Sequence, residues 1–595
     1  MRILNFSIIA HIDHGKSTLA KKLLELSNNP VNQKEDGIDN MQLEKERGIT
    51  IKAKILRLFY SDTTEEFQFN MLDTPGHVDF NYEVDKVLQV SDLAILLVDA
   101  VKGVQAQTIS NVYKALEKDV TVIPVINKID MPNAQIDKTL EEIKAYFGFN
   151  KDQIHLISAK TGEGVTNIIE ILKKHAKSYL IKENEAPLGL IFDSYYDDYL
   201  GVVAFVKVYK GTFKKGDEIA LLHSQKSFKA NILGYFSPQN TPLNTLNKGE
   251  VGYIATGLKD LKIIEVGETI YKKANQKPKP LANIKKAKPF IYLGVFPETD
   301  VKVEDLRKAL EILNLTDPSF TFKPESAGGL GYGYNCGFLG ILHADIILER
   351  LKREFGLNLI VTTPTVTYKV KEKSGKEYTI SGARELPDPS KIDYIEEPIA
   401  DLMLVCPESY LGSLIKLINE KRGTVKDIKY SQSSYKNVKI EAQMPLGELI
   451  IDFSDKLKSI SSGYASFDYE LKGYQKAEIV KIDFLIGGDL FSPLSQLIHK
   501  KNAISRAREI LKRLKEELPR QQFTVSLQAA IGGKIIAREN LQAYRKDVTA
   551  KLYGGDRTRR MKLLEKQKKG KKKMKQLGKV NIGKDTFLKV IKSNG

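Results

Sequence analysis

Along the first 180 residues, short apolar runs alternate with longer stretches of helical period. FSIIAH (6–11), FQFNMLD (67–73), LAILLVDA (93–100), VTVIPVIN (120–127) and IHLIS (154–158) each lead through a loop into a helical pattern. Near-continuous apolar runs bounded in this way predict strands buried on both faces, hence a doubly wound, mostly parallel sheet. From about 187 to 275 the texture changes to short β-rich runs with glycine turns, GVVAFVKVYKGTFKKGDEIAL and KGEVGYIATGL. These predict a small antiparallel β-barrel. KKANQKPKPLANIKKAKP (272–289), rich in Lys and Pro, reads as a linker. Two α+β segments follow, about 288–370 and 396–481, and both suit small split-βαβ, ferredoxin-like domains. The remainder opens with a helical run, AISRAREILKRLKEEL, and ends in a lysine-rich block.

Length and composition agree with this division. A chain of 595 residues is too long for one core, and five units are predicted: 1–182, 187–275, 288–370, 396–481 and 482–595. With 42% hydrophobic and 28% charged residues the chain is ordinary globular protein. No run of about 18 apolar residues suggests a spanning helix. The opening MRILNFSIIAHIDHGKST is no signal peptide, because its apolar run is short and leads straight into a polar loop. Two cysteines, Cys336 and Cys406, lie far apart, which argues against a disulfide framework or a cysteine-rich zinc site. A reducing cytoplasm is the expected location.

Charge changes the picture more. The net charge is +18, and residues 551–595 alone hold 16 Lys or Arg against 3 Asp or Glu. Such a block suits a polyanion, either nucleic acid or an anionic membrane surface; its plain alternative is a solvated tail.

The candidate chemistry begins at AHIDHGKST (10–18), between a predicted strand and a predicted helix. The phosphate-binding loop is G-x-x-x-x-G-K-[ST], and here Ala10 fills the first position. A small residue at the loop entrance still lets the backbone turn. Backbone N–H groups of Asp13, His14, Gly15, Lys16, Ser17 and Thr18 would wrap phosphates at the helix N-terminus. Lys16 can reach the β/γ-phosphates and Ser17 can ligate Mg²⁺. DTPGH (73–77) follows the next strand, so Asp73 is expected near Mg²⁺, through water, and Gly76 near a γ-phosphate. RGIT (47–50) supplies Thr50 as a second metal ligand. NKID, residues Asn127, Lys128, Ile129 and Asp130, ends another strand. Asp130 there can accept two hydrogen bonds from the N1–H and exocyclic amine of guanine, a donor pair adenine lacks. SAK, residues Ser158, Ala159 and Lys160, would support the base. Alone, Asp130 suits a helix cap and Ser158 a turn. All five strings in this order, each at a strand end or loop, point to GTP with Mg²⁺.

These strings resemble the five G motifs of the translational GTPases, a family that accepts Ala or Gly at the first loop position. The resemblance implies that His77 positions the attacking water and that Ile12 and Ile49 flank it as an apolar gate. The unit order is similar to that of elongation factor G, but the roughly 25 residues between TVTYKV (365–370) and EEPIADLML (396–404) leave no room for that factor's inserted tRNA-mimicking domain. Downstream, SAGGLGYGYNCGFLGILHADIILERLKREF (326–355), YLGSLIKLINEKRG (410–423), SGYASFDYELKGYQ (462–475), PRQQFTVSLQAAIGGKIIARE (519–539) and LYGGDRTRRMKLLEKQKKGKKKMKQLGKV (552–580) resemble the elongation factor 4 (LepA) family. Together they cover nearly the whole chain. Two departures from that family's usual glycine-rich stretch stand out: Gly329 replaces an alanine and Asn335 an arginine. The loop before RGIT is also slightly short.

The resemblance implies a multidomain α/β and α+β fold: a P-loop G domain, a β-barrel, two ferredoxin-like α+β domains and a distinct basic C-terminal domain. It implies a ribosome-dependent GTPase that binds ribosomal RNA, ribosomal proteins and tRNA and back-translocates or remobilises stalled ribosomes; with no long apolar stripe in the sequence to suggest an obligate dimer, a monomer is expected. The basic block, with Arg557, Arg559, Arg560, Lys562, Lys566, Lys568, Lys569, Lys571, Lys572, Lys573 and Lys575, lacks aromatics between its charges. It is therefore expected to meet RNA backbone without reading bases. The same block would attract anionic lipid, and the family is described as partly associated with the cytoplasmic membrane face. Three rivals stand beside this reading: another ribosomal GTPase, a non-catalytic RNA or membrane binder, and a P-loop ATPase or kinase, the last disfavoured by NKID.

Overall fold

Apolar residues fill β1 (Arg2–Ala10) from Ile3 to Ala10, apart from Asn5 and Ser7, and every one is buried. That double-sided burial places β1 in the middle of a six-stranded sheet of order β2-β3-β1-β4-β5-β6. The other strands are β2 (Lys54–Ser61), β3 (Glu66–Asp73), β4 (Leu93–Asp99), β5 (Thr121–Asn127) and β6 (His155–Leu156). All neighbours run parallel except the edge pair β2–β3. Among the described residues, the helices flanking the sheet are α1 (Lys16–Glu25), α2 (Asn81–Leu88), α3 (Ala106–Glu117), α4 (Ile136–Phe147) and α5 (Val165–His175). The chain leaves β1 toward β2 and β3, then returns to β4 on the other side. The switch point, where such sheets bind ligands, therefore lies at the carboxyl end of β1. The computed structural model describes residues 1–29, 54–63, 65–75, 78–179, 185–197, 199–237, 239–258, 264–281, 288–298, 300–317, 319–327, 330–430, 437–519, 521–544 and 557–577.

The glycine-punctuated stretch after this sheet forms an eight-stranded antiparallel sheet with a two-stranded ribbon, running from Leu188 to Lys272. Its inward side chains, among them Val206, Phe213, Ile219 and Ile254, share one core. Next, strands Ile291–Pro297, Thr321–Ala327, Gly331–Phe338 and Leu359–Val361 form an antiparallel sheet with helices Val303–Thr316 and Ile341–Phe355, a βαββαβ unit. A second such unit is built on the 16-residue strand Ile392–Pro407, with Thr424–Tyr430, Asn437–Pro445 and Ser466–Ala477. The connector between the two units is not a plain loop. Tyr368–Glu372 and Glu377–Ile380 make a hairpin that pairs with the first half of Ile392–Pro407. Beyond it, strands from Ile479 to Leu541 pack under helix Lys500–Glu517, and a final helix spans Arg557–Leu577. That last helix escapes pattern reading because its residues are nearly all polar, yet Lys, Arg, Leu, Met and Gln are good helix formers.

The units share surfaces rather than hanging on linkers. Ile55, Leu72, Val87 and Val90 of the parallel sheet and its helix pack with Leu190, Phe192 and Val251 of the barrel. Ion pairs cross the same boundary: Arg57–Glu250, buried on both sides, at 3.3 Å, and the buried Lys86 and Lys207 with half-buried Asp193 at 3.0 Å and Asp92 at 2.9 Å. Val405, from the second βαββαβ unit, sits with Met403 beside it in a core that β1, β4, β5, α2, α3 and α4 of the parallel-sheet unit build.

Candidate functional site

β1 stops at Ala10 and α1 starts at Lys16, so the intervening loop must reverse direction in five residues. It does so with two left-handed residues, Asp13 (φ 64°) and Gly15 (φ 94°). At Gly15 a Cβ would also run into the Asn127 amide, so glycine is needed for both conformation and space. Gly15 caps α1 without a side chain of its own, so the N-cap residue itself does not claim the N–H groups of the first turn. Such donors, with the helix dipole behind them, favour an anion.

Across the crevice, Asp73 ends β3 fully buried, and its Oδ1 lies 3.0 Å from the Lys16 ammonium. Lys16 also donates to the carbonyl of Thr74, whose hydroxyl in turn donates to the Ile8 carbonyl at 2.8 Å. The sequence-predicted cation and carboxylate are thus in direct contact. Ser17 is half-buried and Thr18 exposed in the first turn of α1, and Ile12 is half-buried in the loop.

Asn127 ends β5 and joins two loops: its Nδ2 donates to the His14 carbonyl at 2.9 Å, and its Oδ1 accepts from Ala159 N–H at 2.9 Å. Lys128, with φ 67°, lies across the loop, donating to the Asp13 carbonyl at 2.5 Å and pairing with Asp99 at 2.7 Å. Ile129 is half-buried, Asp130 exposed, Ser158 and Ala159 buried, and Lys160 exposed. The Ser158 hydroxyl accepts from Thr161 N–H at 3.1 Å and tightens the turn after β6. An exposed carboxylate beside a buried, backbone-lined turn suits a planar base that brings its own N–H donors.

The structure thus gathers residues 12–18, Asp73, 127–130 and 158–160 at one end of the sheet. Ile49, Thr50, Gly76 and His77 lie outside the described residues, as do Gly329 and the loop before RGIT. Asn335 donates to the Ser381 hydroxyl at 3.0 Å, at the join between the two βαββαβ units and far in sequence from these loops. Arg557, Arg559, Arg560, Lys562, Lys566, Lys568 and Lys569 are exposed on the last helix; Lys571, Lys572, Lys573 and Lys575 continue it.

Sequence reasoning placed His14 in the loop by its backbone but missed the role of its side chain, and it missed Asp99 altogether. The His14 side chain is buried, and its Nδ1 accepts from Asp99 N–H at 3.2 Å, linking the loop to the end of β4. Burial, with His11 beside it, pushes its pKa well below the ordinary histidine value, so the ring is neutral. Asp99 itself holds Lys128. The only signal in the sequence was an acid closing an otherwise apolar strand, LAILLVD.

Comparison with known proteins follows the same layout. Residues 1–178 match the model of the elongation factor Tu GTP binding domain and 201–271 that of elongation factor Tu domain 2. Residues 394–484 match the elongation factor G C-terminus and 486–592 the GTP-binding protein LepA C-terminus. Elongation factor 4 of Acetivibrio thermocellus is 46% identical over 595 residues, covering 99% of this chain and 98% of that protein. The same factor from Alkaliphilus oremlandii is also 46% identical, and one from Clostridium botulinum is 45% identical, with the same coverage. A crystal structure from Thermus thermophilus shares the fold at TM-score 0.56 with 16% identity, over 80% of this chain and 97% of that one.

Proposed function

The chain belongs to the elongation factor 4 family and is a GTPase, and from that premise we propose that it hydrolyses GTP on ribosomes, in the cytoplasm, as a monomer that remobilises or back-translocates stalled ribosomes. One observation carries most of the site reading: the Lys16–Asp73 pair at the mouth of a loop whose α1 N–H groups have no side-chain cap. Lys16 would exchange Asp73 for β/γ-phosphate oxygens, and N–H groups of residues 13–18 would wrap the rest. The buried Asp73 carboxylate and half-buried Ser17 hydroxyl are hard oxygen donors of the kind Mg²⁺ takes, so Ser17, Thr50 and, through water, Asp73 would hold it. When bound, the ion neutralises charge on the phosphate oxygens. Asp130 would accept the guanine N–H pair while the turn at Ser158, Ala159 and Lys160 backs the base. His77, between the apolar Ile12 and Ile49, would orient water in line with the γ-phosphate.

Positioning and electrostatics then do the catalysis, and turnover is slow until a partner completes the geometry. Partner activation of a comparable GTPase is worth about 10⁵-fold, roughly 7 kcal/mol of barrier. The basic helix Arg557–Leu577 would hold tRNA or ribosomal RNA through phosphates. Among the described residues no helix is long and apolar enough to cross a membrane. Anionic lipid would also be attracted by this helix's charge, which makes lipid the second reading.

The test is GTP hydrolysis with and without ribosomes, on the full chain and on a chain ending at residue 550. Stimulation of both, with tRNA displacement lost only in the shorter chain, is the expected result. No stimulation of the full chain removes the proposal, and binding to anionic vesicles instead would favour the lipid reading.

A further inference from the structure

Directly after the DTPGH segment the chain makes a short turn, Val78–Phe80, before α2. Asp79 in this turn is buried, although it stands outside the nucleotide loops. Its carboxylate reaches out of the parallel-sheet unit altogether. Oδ2 accepts the N–H of Leu342 at 2.7 Å, and Oδ1 accepts the hydroxyl of Tyr469 at 3.4 Å.

Leu342 is the second residue of helix Ile341–Phe355, whose N-cap, Gly340, has no side chain to offer. Asp79 therefore does what a cap does, from a different unit: it satisfies a first-turn N–H and sets negative charge at the positive end of the helix. Gly340 is shaped for this. Its backbone is ordinary extended chain, but a Cβ there would land on the Asp79 carboxylate. Any other residue at 340 would expel the cap.

Tyr469 belongs to the third unit at this junction, on strand Ser466–Ala477. Burial first, then Asp79 and Asp468, push its pKa well above the ordinary tyrosine value, so it stays a hydroxyl donor. Phe80 adds a ring contact to His343, with centroids 6.1 Å apart. The turn is thus gripped by two other units.

We propose that Asp79 is a positioning residue for GTP hydrolysis, fixing the chain just beyond Gly76 and His77 by capping helix Ile341–Phe355 and receiving Tyr469. The inference rests on the reading that the 73–77 segment meets the γ-phosphate. It adds that the C-terminal anchor of that segment lies outside the nucleotide-binding unit. Hydrolysis is then sensitive to how the βαββαβ units are placed, because moving either one moves the anchor.

The experiment uses the full chain with Asp79→Ala, Gly340→Ala and Asp79→Asn, measuring ribosome-stimulated kcat alongside affinity for a fluorescent GDP. A misplacement of about 1 Å costs up to about 10²-fold in rate, so Asp79→Ala and Gly340→Ala are expected to lose about 10- to 100-fold in kcat. Their GDP affinity should stay within about twofold, since Gly340 belongs to another unit and Asp79 holds only the far side of its segment. Asp79→Asn keeps an acceptor for Leu342 and should recover most of the rate. Wild-type kcat in both alanine variants overturns the proposal. So does GDP affinity falling in step with kcat, because the contact would then hold the fold rather than aim the segment. Asp79→Asn no better than Asp79→Ala also overturns it. Absence of ribosome stimulation in the unaltered chain is a different failure: it removes the functional reading on which this one stands.

Discussion

One amide, that of Asn127, joins the loop after β1 to the turn after β6, and its two bonds engage both ends of the group. Asn127→Ala would leave a buried carbonyl and a buried N–H without partners, costing about 1–3 kcal/mol for each. GDP release in a stopped-flow chase should accelerate by at least about tenfold. On the proposed reading Asp130 would act on selectivity instead. Asp130→Asn exchanges a two-acceptor edge for one donor and one acceptor, so GTP affinity should drop about 10²-fold while a xanthine nucleotide, carrying a carbonyl in place of the amine, gains. Competition titration with the two nucleotides checks this.

His14 carries a pH signature. Its folded pKa is depressed, so the folded state binds fewer protons than the unfolded one between that value and about 6.5. Its contribution is whole above about pH 6.5 and is lost as pH falls toward the folded pKa. The melting-temperature gap between wild type and His14→Gln should therefore shrink from pH 7.5 to pH 5. The residues of the motif strings could be read because each string sits within one loop. His14's side chain, Asp99 and Asp79 could not, since the contacts that bring them into play, to Asp99, Lys128 and Leu342, lie 85, 29 and 263 residues away.

At the scale of elements, the buried parallel strands are legible because burial on both faces leaves few polar positions to confuse the period. β2 is harder: an edge strand carrying Lys54 and Arg57 among apolar residues has neither a clean alternation nor a clean run. The hairpin Tyr368–Ile380 hides for another reason, since it gains its strand partner, Ile392–Pro407, only through tertiary pairing. Helix Arg557–Leu577 is the extreme case, an element without a continuous apolar stripe; its Met561 and Leu564, three residues apart, are both exposed. Its lysines make a prediction in which only charge matters. Changing Lys562, Lys566, Lys568 and Lys569 to Gln should weaken RNA binding without altering sequence preference. For every lysine that meets a phosphate, its removal should flatten the slope of log affinity against log salt by about 1, measurable by filter binding across a salt series.

For the whole molecule, the decisive contacts join units far apart in sequence, and no pattern along the chain announces them. Arg57 and Glu250 are both nearly inaccessible, and Arg57 also donates to the Val251 carbonyl at 2.8 Å and to the Asn70 side chain at 3.2 Å. Glu250→Gln would leave the guanidinium buried with its counter-charge gone, a loss of about 3–5 kcal/mol. Replacing both, Arg57→Met with Glu250→Leu, should restore most of that stability, because desolvation offsets much of a buried pair's attraction. Thermal unfolding of the two variants distinguishes these outcomes. The fold class and the order of units follow from local pattern. The docking of the units does not, since it depends on side chains such as Glu250, Asp193 and Val405 that look unremarkable where they stand.

The strand Ile392–Pro407 shows what such docking does mechanically. Its first half carries the connecting hairpin and its second half delivers Val405 to the core beside α3, while the one extra residue opposite Ile399 and Ala400, Lys472, bulges from the paired strand Ser466–Ala477 and leaves this strand continuous. Sixteen residues at about 3.3 Å each make a beam roughly 50 Å long. A beam pivoting at one end by a single degree sweeps its far tip through about 0.9 Å at that length. A small tilt imposed on the hairpin by a large assembly therefore arrives at the α3 contact magnified into a displacement comparable to the tolerance of a hydrogen bond.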